Sequence, residues 1–258
     1  MQAAFLIAAI AAAVFLVGPV LVIVPMSFST AVSFEFPPPG YGLGFYRAYF
    51  GDPNWILATA NSFVIAFFVA ALTMGLVVPA AFAYVRERFW ARGVFNFLVL
   101  SPIIVPAVVS ALGYYGFFGV AGLNGTVLGV TLAHTTLAIP VTFLVVSATL
   151  KGYDRNLERA AMISGAGPLR TFFHVTLPVL WPGMLTGALF AFLASFNEAV
   201  VALFIAGRDA STLPKKMFES IRLESDPVIA VVSTLLVFGV VVCLLASLLF
   251  RAKASHAT

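Results

Sequence analysis

The sequence predicts an all-α integral membrane protein with six transmembrane helices, and three observations predict it. Hydrophobic residues make up 62% of the 258 residues and charged residues only 9%. A soluble domain carries about 25% charged residues, so this chain cannot cover a water-facing surface. The few charges are gathered in short clusters, and the stretches between them are long enough to cross a bilayer. Those stretches are continuous rather than alternating in hydrophobicity, which excludes a membrane barrel.

The charge gaps define each element in turn. No charge precedes Glu35, so residues 3–27 form the first span. This segment lacks a basic start and a small-residue cleavage site before a polar domain, so it is expected to be a retained helix, not a signal peptide. The gap between Asp52 and Arg86 holds a second span near 58–84. Residues 93–150 carry no charge at all. One helix of that length would run roughly 87 Å, against a hydrocarbon core of about 30 Å, so the segment must fold back. Asn124-Gly125 is the turn signal, which yields spans near 95–118 and 127–150. A fifth span covers 181–206, interrupted only by Glu198, and a sixth covers 228–250. Pro102, Pro106 and Pro140 are expected to kink their helices. Gly113, Gly116, Gly119, Gly122 and Gly125 suit close helix packing, or a loosely held end to the third span.

Basic residues set the orientation. With both termini cytoplasmic, the inner pieces are the 85–93 loop, the 151–180 segment and the tail after 250. They hold Arg86, Arg88, Arg92, Lys151, Arg155, Arg159, Arg170, Arg251 and Lys253, nine of the 14 basic residues. The outer pieces, 29–57 and 207–227, hold six of the 10 acids: Glu35, Asp52, Asp209, Glu219, Glu224 and Asp226. The first outer piece has a stiff Pro37-Pro-Pro-Gly-Tyr-Gly connector followed by Tyr46, Tyr49, Phe50 and Trp55. These aromatics read either as interfacial anchors or as a docking surface for an external partner. Cys243 lies in an apolar run and has no second cysteine to pair with.

Residues 154–178 are a polar, basic island between the fourth and fifth spans. Asp154 or Asn156 can cap a helix running through Leu157, Ala160, Ala161 and Ile163. Ala160-Ala161 leaves a flat face that another protein can approach closely. Gly165 and Gly167-Pro168 turn the chain, a second short helix covers Leu169 to Val175, and Leu177-Pro178 is expected to end it. By composition alone the island reads equally well as an amphipathic connector on lipid headgroups.

The spacing is more specific. The island resembles the loop by which permeases of bacterial ATP-binding-cassette importers grip their ATPase, whose pattern is Glu-Ala-Ala, three residues, Gly, nine residues, an aliphatic, one residue, then Leu-Pro. Here it falls on Arg159-Ala160-Ala161, Gly165, Val175 and Leu177-Pro178. The departure is Arg159 in place of the acid, with Glu158 one position earlier. Asn61-Ser62, Ser101-Pro-Ile-Ile-Val-Pro106, Leu132-Ala-His-Thr-Thr, Ser195-Phe-Asn-Glu-Ala-Val-Val and Thr212-Leu-Pro are similar to segments of the second, C-type permease of spermidine/putrescine importers. The resemblance implies a six-transmembrane-helix type I importer permease in the bacterial inner membrane, with a cytoplasmic coupling helix. Implied partners are a homologous second permease, two ATP-binding-cassette ATPase subunits, a periplasmic substrate-binding protein and membrane lipid, with no nucleic acid. ATP and Mg would sit on the ATPase. The coupling residues carried over are Glu158, Arg159, Ala160, Ala161, Gly165, Leu177 and Pro178. Importers of aminoethylphosphonate, opines, thiamine and ferric iron share much of this pattern.

Few polar groups lie within the spans. Glu198 is the one acid there, and a carboxylate in hydrocarbon costs roughly 3 kcal/mol, so it should face the bundle interior or a cavity. It reads as a cation-attracting residue on the substrate path, with Asn197 beside it, or as a structural carboxyl bonded to a neighbouring helix. His134 reads as a helix–helix hydrogen-bonding group, since no second His or Cys stands at metal-ligand spacing. No glycine-rich phosphate loop ending in Lys-Ser or Lys-Thr is present, so the chain is not expected to bind ATP itself. No catalytic constellation is present, and Asn124-Gly-Thr matches a glycosylation sequon by letters only. The other function class is a stand-alone proton-coupled carrier with Glu198 as its proton site. Such carriers usually show more spans or paired broken helices.

Overall fold

The computed structural model describes residues 2–223 and 226–255, and every named element is a helix. Glu224, one of the acids assigned to the outer side, lies outside the described residues. In chain order the elements are α1 (Gln2–Ser27), α2 (Gly44–Gly51), α3 (Pro53–Arg86), α4 (Arg92–Ile104), α5 (Ala107–Val120), α6 (Val127–Lys151), α7 (Asn156–Ile163), α8 (Pro168–Thr171), a π-helical turn (Phe172–Thr176), α9 (Leu177–Phe196), α10 (Val200–Ile205), α11 (Leu213–Leu223) and α12 (Val228–Ser255). Among the described residues, five helices are long and apolar enough to cross a membrane, or six with the bent pair α4–α5 counted as one span.

The chain forms two compact units. One joins its ends, Met1–Ile56 and Met217–Thr258. Within it α1 packs against α12, and α1 presents apolar side chains such as Phe5, Phe15 and Leu16 outward, as a lipid-facing helix does. Tyr46 closes the connector after α1 through a 3.0 Å hydrogen bond between its hydroxyl and that of Ser27. Tyr49 and Trp55 are buried, while Phe50 is exposed.

The second unit, Leu57–Lys216, is built around α6, the most buried of the spans. Ile65 and Val69 of α3, Phe118 of α5, Val130 of α6 and Val201 of α10 share one apolar core. Val77, Phe143, Val146 and Leu180 share another. Helices α6 and α9 approach closely because Gly183, Gly187, Ala191 and Ser195 recur every fourth residue along α9. A Cβ on Gly187 would stand 2.9 Å from the Val146 Cγ2, and one on Gly183 would strike Thr149.

Three helix boundaries differ from the sequence expectations. The third span is not a kinked helix but two helices bent by 103°. Pro106 has no N–H to continue α4, and it forces Val105 into an extended conformation (φ −78, ψ 130). Pro102 leaves α4 intact, and the Ser101 hydroxyl bonds the Leu98 carbonyl that Pro102 cannot reach. The helix before Leu177-Pro178 does not stop there. It runs on into α9 through the π turn, where the Leu177 N–H reaches back to the Phe172 carbonyl. The fifth span ends at Phe196 rather than 206, because the chain breaks at residues 197–199 before α10 begins.

Candidate functional site

The island opens where the Asp154 carboxylate accepts the Asn156 N–H at 2.9 Å, so Asp154 is the residue that starts α7. It closes on Gly165, whose φ of +88 is left-handed. The Ala166 N–H bonds the Ala161 carbonyl and the Gly165 N–H bonds the Met162 carbonyl, both at 3.0 Å. This paired closure is the Schellman arrangement, and it needs glycine for the backbone alone, since a Cβ at Gly165 would meet nothing. Pro168 then starts the next helix at a position where its missing N–H costs nothing.

Glu158 ties the island to the membrane helices. Its carboxylate takes both guanidinium arms of Arg86, at 2.6 and 3.1 Å, and the Thr176 hydroxyl at 2.6 Å. Arg86 ends α3 and lies over the Phe82 ring at 4.7 Å, and Tyr153 donates to Thr176 at 3.4 Å. One acid thus joins the end of α3, α7 and the π turn leading into α9. Partial burial pushes the Glu158 pKa up. The hydrogen bonds from Arg86 and Thr176 and the charges of Arg86 and Arg155 outweigh this and hold it below its ordinary value. Arg159 is exposed and reaches the Asn156 side chain, at 3.3 Å.

The rest of the island faces outward. Ala160 is exposed and Ala161 half-buried. Met162, Ile163, Leu169 and Phe173 stand exposed around them, with Ile163 at 88% of its full accessibility. Leu177 is half-buried and Pro178 exposed in the first turn of α9.

At the opposite end of α3, Asn61 donates to the Asp209 and Ser211 carbonyls at 2.8 and 3.0 Å. The Ser62 hydroxyl accepts the Leu213 N–H at 2.7 Å, and the Lys215 ammonium bonds the Ala206 carbonyl at the end of α10. These contacts fasten the 206–213 loop to α3. Between them, the buried His134 meets Ser195 at 3.0 Å across the α6–α9 seam, as its helix–helix reading expects. Glu198 is half-buried in the break before α10, and its carboxylate accepts the Val201 N–H at 2.9 Å. Asn197 is exposed beside it. The structure therefore brings Glu158, Ala160, Ala161, Gly165, Leu177 and Pro178 into one island and leaves Glu198 and Asn197 near the far end of α9. Sequence reasoning missed Arg86, Thr176 and Lys215 as partners. Only Arg86 carried a signal, as the first charge after a long apolar run.

The model of the family described as "Binding-protein-dependent transport system inner membrane component" matches residues 71–254. The chain is 33% identical over 233 residues to the putrescine transport system permease protein PotI of Escherichia coli (strain K12), covering 88% of this chain and 83% of that one. It is 25% identical over 238 residues to the spermidine/putrescine transport system permease protein PotC of Haemophilus influenzae, covering 92% of each. A solved bacterial ABC transporter involved in import of the acidic polysaccharide alginate has a chain of the same fold, with a TM-score of 0.71 at 17% identity over 97% of this chain and 96% of that one. With its spans, its island and these matches in agreement, the chain belongs to the family of binding-protein-dependent transport system inner membrane components.

Proposed function

We propose that this chain is the permease subunit of an ATP-driven importer and forms half of the path for putrescine, spermidine or a similar small polyamine. The observation that carries the substrate class is the 33% identity to a permease named for putrescine transport, extending over 83% of that protein. The island is the coupling element. Ala160, Ala161 and the exposed Met162, Ile163 and Leu169 meet a cytoplasmic ATPase that holds ATP and Mg, while Glu158 and Arg86 hold the island to the spans. A homologous second permease completes the path, two ATPase subunits dock inside, and a periplasmic binding protein delivers substrate. Both termini face the cytoplasm. Glu198 and Asn197 line the path, with one carboxylate oxygen of Glu198 spent on Val201 and the other left for a cation.

The test is uptake of radiolabelled putrescine into proteoliposomes holding the assembled complex and its binding protein. ATP inside should drive it. Uptake by this chain alone on a proton gradient, without ATP, would assign it to the proton-coupled carriers instead.

A further inference from the structure

The angle between α4 and α5 holds an open, mostly apolar cavity of about 390 Å³. Pockets that bind small molecules run from roughly 300 to 1,000 Å³. Ser101 at the end of α4 and Ser110, Gly113, Tyr114 and Phe117 along α5 line it, and Gly113 leaves room where a side chain would intrude.

Two of the hydroxyl groups at this cavity, those of Ser101 and Tyr114, have a defined polarity, while that of Ser110 can donate or accept. Ser101 donates its proton to the Leu98 carbonyl at 2.8 Å, so its remaining capacity is to accept. Thr136 donates its proton to the Ala133 carbonyl at 2.7 Å. In the 2.6 Å contact between Tyr114 and Thr136, Tyr114 must therefore be the donor. The Tyr114 oxygen, too, is left with lone pairs only. The Tyr114 ring is fixed by stacking on Phe118, with centroids 5.7 Å apart and planes 20° apart. Phe117 adds a second, exposed ring. No charged side chain lines the cavity.

A site with oxygen acceptors, aromatic faces and no spare donor on Ser101 or Tyr114 favours a ligand that is both a hydrogen-bond donor and a cation. We propose that this cavity is a transit site for an ammonium group, held by the Ser101 and Tyr114 oxygens and by the Tyr114 and Phe117 rings. The proposal rests on the polyamine reading and locates one of its binding steps. Lacking a carboxylate, the site binds weakly, and a conducting path needs sites that release as readily as they capture.

The experiment uses the assembled complex in proteoliposomes and radiolabelled putrescine. Tyr114→Phe removes the acceptor and keeps the ring, and should lower uptake roughly threefold. Tyr114→Leu removes both and should lower it roughly tenfold. Thr136→Val breaks the same hydrogen bond but leaves the phenol oxygen in the cavity, and should keep uptake near wild type. Co-purification of the ATPase with each variant reports assembly. Wild-type uptake in both Tyr114 variants overturns the site while the polyamine function stands. A Thr136→Val defect equal to that of Tyr114→Phe also overturns it, because the bond and not the oxygen is then what matters. A wild-type complex that imports no polyamine removes the substrate reading, and this site with it.

Discussion

Glu158 stands one position before the place where the pattern has its acid, and it ties the island to the end of α3. Its bidentate pair with Arg86 is an ion pair only while it is ionised, and its bond from Thr176 is charge-assisted only then. Because its folded pKa lies below the ordinary 4.5, its contribution is fully present above that value. The contribution is lost as pH falls through the folded pKa. Glu158→Gln should therefore raise hydrogen exchange across residues 154–178 at neutral pH, and the difference from wild type should vanish in acid. An equal difference at both pH values would remove the ion pair from the account. Glu198 offers a cleaner separation of charge from structure. Glu198→Gln keeps an oxygen for the Val201 N–H and loses the charge, so α10 should stay folded while putrescine uptake drops about tenfold, the effect of roughly 1.4 kcal/mol. Unchanged uptake kinetics would leave Glu198 as a helix cap only.

At the scale of elements, the α6–α9 seam governs how the island is held, because α6 enters it and α9 leaves it. Gly183 and Gly187 let the two backbones approach, and His134 and Ser195 close the far end. Gly187→Leu should wedge the seam against Val146 and cost about 1–3 kcal/mol. Gly75→Leu on α3 is the matched control, since a Cβ there meets nothing. Thermal unfolding in detergent compares the two, and equal midpoints would show that the seam is not tight. The seam was not legible beforehand. Gly183 and Gly187 lie in a uniformly apolar span, where nothing in the local pattern says which face meets protein and which meets lipid.

For the whole molecule, the surface proposed to meet the ATPase is the exposed face of the island. Ala160→Trp with Ala161→Trp adds bulk where the flat face stands, without touching Glu158, Arg86 or Gly165. The double variant should insert in the membrane, lose co-purifying ATPase and lose ATP-driven uptake. Retention of both ATPase and uptake would place the docking face elsewhere. The island's position was legible because charge is rare here, so a polar stretch between two spans stands out. Its Ala-Ala, Gly and Leu-Pro spacing was legible because Gly165 answers a local backbone need, a left-handed residue closing α7.

The sequence by itself determined that the chain is helical and membrane-embedded, where its charges cluster, and which loop carries the coupling pattern. These are properties of composition and local spacing, which need no partner to be read. Tertiary structure alone decided that Glu158 rather than residue 159 carries the ion pair, because the partner, Arg86, is 72 residues away. It also decided that the third span bends by 103° at Pro106 while α4 passes through Pro102 undisturbed. Both residues are prolines, so residue type alone does not say which of them ends the helix. It placed Glu198 in a helix break instead of mid-span, because the break depends on how residues 197–199 meet α10. Contacts between distant segments are set by three-dimensional packing, and no local pattern encodes them.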